Sequence, residues 1–283
     1  MEKTIKKSWP IFVIPTFAAF VVGFLWPFLQ GLYLSFCKFT TVDKAEFNGF
    51  DNYIYALTDG EFLHAFWFTA LFTVVSTVLI NVLAFAIAMA LTRGIKGTNL
   101  FRSVFFMPNL IGGIVLGYIW NILLNCVLTL LGQPLMSLSA PYGFLGLIIL
   151  MCWQQIGYMM IIYIAGLQSI PNDYLEAARI DGASERQILW RIKIPNVMPS
   201  ITICLFLSLT NGFKLFDQNL ALTNGDPRHL TEMLALNIYN TFYGRSGAVW
   251  KGYGQAKAVL FCILVIVISL VQLKATRSKE VQQ

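Results

Sequence analysis

Long apolar runs separated by short polar intervals organise this chain. They cover about residues 11–36, 62–91, 104–125, 144–167, 197–216 and 256–273. About twenty consecutive apolar residues make a helix long enough to cross a bilayer. Inside lipid, a lone segment satisfies its backbone donors and acceptors only as a helix. The pattern therefore predicts an all-α, polytopic membrane protein with six transmembrane helices. Pro15 and Pro27 are expected to kink the first span. From Ser103 to Asn172 there is no Asp, Glu, Lys, Arg or His, which no water-soluble domain tolerates. That stretch holds two spans, and the break LGQPLMSLSAPYG between them has the composition of a turn.

One interval differs from the rest. Residues 171–199, PNDYLEAARIDGASERQILWRIKIPNVMP, are dense in charge and patterned as helix. Pro171 suits the first turn of a helix, with Asp173 and Glu176 near its positive end. Gly182 is the expected stop. Ser184 with Gln187 three residues on reads as a capping box that starts a second helix. Its apolar face is Ile188, Leu189 and Ile192. Pro195 and Pro199 are expected to close the unit, since neither donates a backbone hydrogen bond. On pattern alone two readings stay open: a docking surface for a soluble partner, or an amphipathic connector lying on headgroups.

Charge adds orientation. Of 283 residues 57% are hydrophobic and 12% charged, and the net charge of +6 comes from Lys and Arg at span ends. Such clusters mark the cytoplasmic side of a membrane and call for no nucleic acid. Residues 37–61 are mainly acidic, whereas Arg93, Lys96 and Arg102 follow the second span. Both termini and the 171–195 loop are therefore expected inside, with residues 1–10 and 276–283 as cytoplasmic ends of a permease domain over 11–275. The basic lead-in MEKTIKKSW precedes a run too long for a signal peptide, and no A-x-A site follows, so the first span is expected to be retained. Lys214 and Lys257, near the outer ends of their spans, are expected to snorkel to the interface. The five cysteines are scattered and read as apolar filler.

The chemistry that is missing narrows the function. No GxxxxGK[ST] loop is present to cradle nucleotide phosphates. His64 and His229 have no neighbours at metal-ligand spacing. Neither catalytic residue, metal nor cofactor is expected. What the spans carry is neutral and hydrogen-bonding: Asn121, Asn125, Gln154, Gln155, Tyr158, Ser208, Thr210 and Asn211, beside Trp120 and Trp153. Amides and hydroxyls next to aromatic faces suit an uncharged, polyhydroxylated solute. The alternative for each residue is interhelical hydrogen bonding.

Glu176-Ala177-Ala178, Asp181-Gly182-Ala183, Ile192, Pro195 and Pro199 together resemble the EAA signature of ABC-importer permease subunits. FNGFDNY, WQQIGYMMIIYIAGLQSIP, FKLFDQNLALTNGDP and YGQAKAVLF with LVQLKATR are similar to segments of the carbohydrate, maltose-type branch, although Asp226 replaces one glycine. ATRSKEVQQ resembles the end of that branch's first permease type.

The resemblance implies a bacterial or archaeal cell-membrane subunit that pairs with a second permease, two ATP-binding subunits and an extracytoplasmic solute-binding protein. ATP and magnesium would then belong to the partner ATPase. It implies a cytoplasmic coupling loop between spans four and five, using Glu176, Ala177, Ala178, Asp181, Gly182, Ala183 and Pro195. It places Tyr158 and Ser208 toward a sugar, with Asn211 a neighbour. Trp120, Asn125 and Gln155 complete the expected pathway. A glycerol-3-phosphate or other polar-solute importer is the alternative within the family; a charged phosphate would favour Arg or Lys in the cavity, and only Lys214 offers one. A stand-alone ion-coupled carrier is the alternative outside it, and would purify without an ATPase.

Overall fold

The computed structural model describes residues 13–277 and has the predominantly helical architecture that the apolar runs predict, with one short β-hairpin besides. The expected basic start, residues 1–10, the first residues of the first run, and the tail from residue 278 lie outside the described residues. Among those described, five helices are long and apolar enough to cross a bilayer, or six if one bent pair is counted as a single span. The chain divides into two compact units. One takes the described residues up to Asp59 with Ile238–Cys262, and the other takes Gly60–Asn237 with those from Ile263.

The first unit begins with α1, Val13–Leu34. The helix runs through Pro15 and adopts a π turn at Val21–Leu25, just before Pro27. A proline ring crowds the carbonyl four residues back, and the wider turn makes room for it. A short antiparallel hairpin follows, β1 at Cys37–Phe39 and β2 at Ala45–Phe47, with Cys37 opposite Phe47. Helix α2, Asp51–Thr58, is tied back by buried Asn52. The Asn52 amide donates to the carbonyls of Ser35, at 2.8 Å, and Cys37, at 3.0 Å.

The last helix, α12 at Ala248–Arg277, begins well before the predicted sixth span. Lys257 therefore lies about two and a half turns inside it. The expected snorkelling does not occur. Lys257 is fully buried, and its ammonium donates to Asp59 Oδ2 at 2.6 Å and Thr241 Oγ1 at 2.9 Å.

The second unit is built on α3, Gly60–Leu91, and α6, Ala140–Gln168. Helix α3 buries Thr69, Phe72, Thr73, Ser76, Thr77, Ile80, Asn81, Ala84 and Ala88, and exposes Trp67, Leu71, Val74, Val78 and Val82. Phe72 and Ile80 apart, these buried residues are small or polar, while the outward face is large and apolar. That is the arrangement lipid favours, because close packing and hydrogen bonds drive association where burial of apolar surface does not.

The third span differs from its prediction. An amphipathic helix α4, Thr98–Phe106, and a 3-10 turn, Met107–Leu110, precede α5, Gly113–Leu130. Pro108 withholds a donor within that turn, and Ile111 and Gly112 are extended, so the helix restarts at Gly113. The fifth crossing is also interrupted. Helix α7, Asn172–Ile180, is followed by α8, Glu185–Asn196, which meets α9, Met198–Phe213, at a 69° bend. Between α9 and the last helix lie two further helices, α10 at Asp217–Leu222 and α11 at Leu234–Tyr243.

Candidate functional site

Two features of the second unit bear the residues singled out in the sequence. The first is the paired helices α7 and α8. Helix α7 starts after Pro171, with Asp173 in its first turn, and ends where Gly182 takes φ +76°. The glycine amide bonds the Arg179 carbonyl, and the Ala183 amide reaches back to Ala178 at 2.9 Å, closing the end of the helix. Both halves of the predicted capping box form. The Gln187 amide donates to Ser184 Oγ at 3.3 Å, and Gln187 Oε1 accepts from the Ser184 amide at 2.8 Å. Ile188 is fully buried, which fixes the inward face of α8.

The outward face is open. Glu176, Ala177, Asp181 and Gly182 are exposed, with Ala178 and Ala183 half-buried. Tyr174, Ile180 and Trp190 add apolar surface, and Ile180 is 87% exposed. A paired Arg179 and Glu185, 3.3 Å apart, bridge the two helices across the turn. Pro195 does not end the unit as expected. A π turn at Leu189–Lys193 precedes it, the helix carries on through Asn196, and the bend comes at Val197.

The second feature is a polar cleft of about 270 Å³ lined by Met151, Gln155, Asn211, Lys214, Asp217 and Gln218, with Leu215 and Phe216. Two predicted pathway residues meet in it, since the Asn211 amide donates to Gln155 Oε1 at 3.3 Å. The other expected residues are placed elsewhere. Tyr158 is half-buried, with its ring tilted against Phe106. Trp120 sits edge-on to Trp153. Asn125 accepts from the Met136 amide at 3.0 Å and donates to Asn121.

Ser208 is fully buried between helices. It accepts from Asn81 at 2.8 Å and donates to the Cys204 carbonyl, while Tyr163 donates to Asn81 Oδ1 at 2.6 Å. In this single chain Ser208 thus belongs to a network linking α3, α6 and α9. Sequence reasoning missed Asn81 and Gln218. Asn81 had one available signal, an amide inside a strongly apolar run; Gln218 lies past the end of its run and had none.

Where α4 and the 3-10 turn meet α6, the backbone lies directly on Gly157. A Cβ at Gly157 would fall on the Phe105 carbonyl, with the Phe106 nitrogen at 2.8 Å. Only glycine fits there.

A family model described as "Binding-protein-dependent transport system inner membrane component" matches residues 82–276. The chain is 41% identical over 281 residues to a probable starch degradation products transport system permease protein, AmyD, of Thermoanaerobacterium thermosulfurigenes, covering 96% of this chain and 94% of that one. It is 33% identical over 291 residues to the multiple sugar-binding transport system permease protein MsmF of Streptococcus mutans, covering 99% of each. Its fold superposes on a chain of a bacterial ABC transporter involved in import of the acidic polysaccharide alginate, with a TM-score of 0.82, 19% identity and 98% of each chain covered. The family model covers more than half of the sequence, including α7, α8 and the cleft residues, and the chain belongs to the binding-protein-dependent transport system inner membrane components.

Proposed function

We propose that the chain is the sugar-translocating permease of an ATP-driven importer, working with a second permease, two ATP-binding subunits and an extracytoplasmic binding protein. The observation that carries the solute class is the cleft, where Gln155, Asn211 and Gln218 present neutral amides at the edge of an uncharged span region. Amides both donate to and accept from sugar hydroxyls. Relatives named for starch degradation products, multiple sugars and arabinooligosaccharides support the same class. Tyr158, with Trp120 farther along the pathway, offers ring faces to the sugar. Ser208 reaches it only if the Asn81 network opens.

The exposed face of α7 and α8, with Glu176, Asp181 and Gly182, is the surface the ATPase would engage, from the cytoplasmic side. ATP and magnesium would be bound within the partner ATPase subunit, and this chain would hold no cofactor. Both termini would be cytoplasmic. A second reading, glycerol-3-phosphate import, is favoured by two observations: Lys214 lines the cleft, and a permease named for that solute is 29% identical.

Uptake by membrane vesicles carrying the complete transporter separates the readings. Malto- and arabino-oligosaccharides should be imported and sn-glycerol-3-phosphate should not, and Asn211→Ala should weaken uptake by about tenfold, as loss of one polar contact does. Import of glycerol-3-phosphate alone, lost on Lys214→Gln, would establish the second reading.

A further inference from the structure

Gln154 adjoins the cleft residue Gln155 but faces a different neighbourhood. It is 5% exposed, and both ends of its amide are engaged. Its nitrogen donates to the Ile111 carbonyl at 3.3 Å, and its oxygen accepts from Gln218 at 2.7 Å. A carbonyl only accepts, so the Ile111 contact fixes which end of the Gln154 amide meets Gln218. Ile111 lies in the extended break between the 3-10 turn and α5, and Gln218 lies in the cleft wall on α10. One buried side chain therefore ties the wall of the cleft to the break in the third span.

The elements it joins have little slack. Helix α10 rests on glycines of α5: a Cβ at Gly113 would come within 2.7 Å of Asp217 Cβ, and one at Gly117 within 2.6 Å of Ala221 Cβ. Asn121 holds the far end of α10 by donating to the Leu222 carbonyl at 2.6 Å. On the other side of the break, the Phe105 backbone lies on Gly157, three residues along from Gln154 on α6. Rigid packing on both sides leaves the amide bridge as the adjustable joint. A solute hydroxyl entering the cleft competes for the Gln218 amide, whose present acceptor is Gln154.

We propose that Gln154 is a positioning residue that couples occupancy of the cleft to the conformation of the third-span break. A solute that draws Gln218 away releases Gln154, and with it the hold on Ile111. The proposal rests on the import reading but adds a role for a residue that need not touch solute. In the empty transporter the bridge holds the break in one arrangement, so ATP hydrolysis stays low until solute arrives. Coupling of this kind requires a bistable element biased by the ligand, and the interrupted span supplies it.

The test uses the complete transporter in proteoliposomes and the shape-conserving variants Gln154→Met and Gln218→Met, singly and together. Gln154→Met should raise ATP hydrolysis without solute about three- to tenfold, the equivalent of one buried hydrogen bond, and lower the maximal uptake rate. The half-saturating solute concentration should fall alongside, because solute no longer has to displace Gln154 from Gln218. Because one bond is shared, the double variant should be no more uncoupled than Gln154→Met alone.

Wild-type coupling in Gln154→Met would overturn the proposal, as would a change confined to half-saturation, which would make Gln154 a solute contact. Failure of both Gln154→Met and the double variant to assemble would assign the residue to packing and overturn it too. A wild-type complex that imports no sugar would instead overturn the import reading, so the two failures are distinct.

Discussion

The ammonium of Lys257 lies 2.6 Å from Asp59 Oδ2, with the lysine side chain 1% exposed and the carboxylate 10% exposed. Thr241 Oγ1 accepts from the same ammonium, so one cation joins α11, α12 and the end of α2. A pair this deeply buried is costly to break by halves, because the partner left behind stays desolvated. Lys257→Met should destabilise the permease by about 3–5 kcal/mol, whereas Lys257→Met with Asp59→Leu should recover most of that loss. Thermal unfolding of the purified complex in detergent measures both. Equal losses in the single and double variants would show that the pair contributes nothing beyond packing.

Gly157→Ala should be among the most damaging single-atom changes in the chain. Its Cβ would overlap the Phe105 carbonyl, and that atom belongs to the backbone of α4, so no side chain can swing aside. Overpacking typically costs about 1–3 kcal/mol, and a clash with backbone lies at the upper end. Membrane abundance and the unfolding midpoint should both fall, while Gly23→Ala, which meets nothing within 4 Å, should be silent.

At Gly182 the obstacle is conformational. Nothing lies within 4 Å of the space a Cβ would occupy, yet φ is +76°. Gly182→Val should therefore cost about 1–2 kcal/mol from backbone strain alone, and Gly182→Asn distinctly less. If the proposed docking of α7 and α8 holds, uptake and ATPase binding should follow the same order at equal membrane abundance. Binding that is equal in all three proteins would detach this turn from the ATPase.

Glu176 is exposed on α7, clear of the Arg179 and Glu185 pair. Glu176→Lys should leave insertion untouched and weaken binding of purified ATPase subunit by several kcal/mol, about a hundredfold or more, as a reversed charge at an interface does. Unchanged affinity would return α7 and α8 to the role of a headgroup connector.

Sidedness is tested separately. Cysteine at Asn48 should react with an impermeant reagent on intact cells, and cysteine at Ser184 should not, in a background without native cysteines. The reverse labelling would invert the charge-based orientation.

Much was legible without coordinates because the signals are local. Hydropathy located the spans, since a lone segment in lipid satisfies its own backbone only as a helix. The Ser184 and Gln187 box and the turn at Gly182 depend on residues a few positions apart, and both formed as read. The break after Phe106 was hidden because Pro108 and Gly112 sit in a run apolar enough to pass as one span. Lys257 was misplaced because its partners, Asp59 and Thr241, are remote in sequence or lie on a helix the hydropathy did not announce.

What the sequence by itself determined is the membrane class and the two-helix loop, each set by composition or by contacts within a turn or two. Only the tertiary structure decided which face of each span is buried, because lipid and protein interiors are both apolar and the hydropathy of Val78 and Ile80 is alike. It sent Val78 outward and Ile80 inward by packing small and polar residues against one another. It likewise chose among the amides, giving Gln155 and Asn211 to the cleft, Asn125 to a loop and Gln154 to a bridge. A hydrogen bond between residues sixty positions apart exists only once the helices have packed, and no local pattern encodes it.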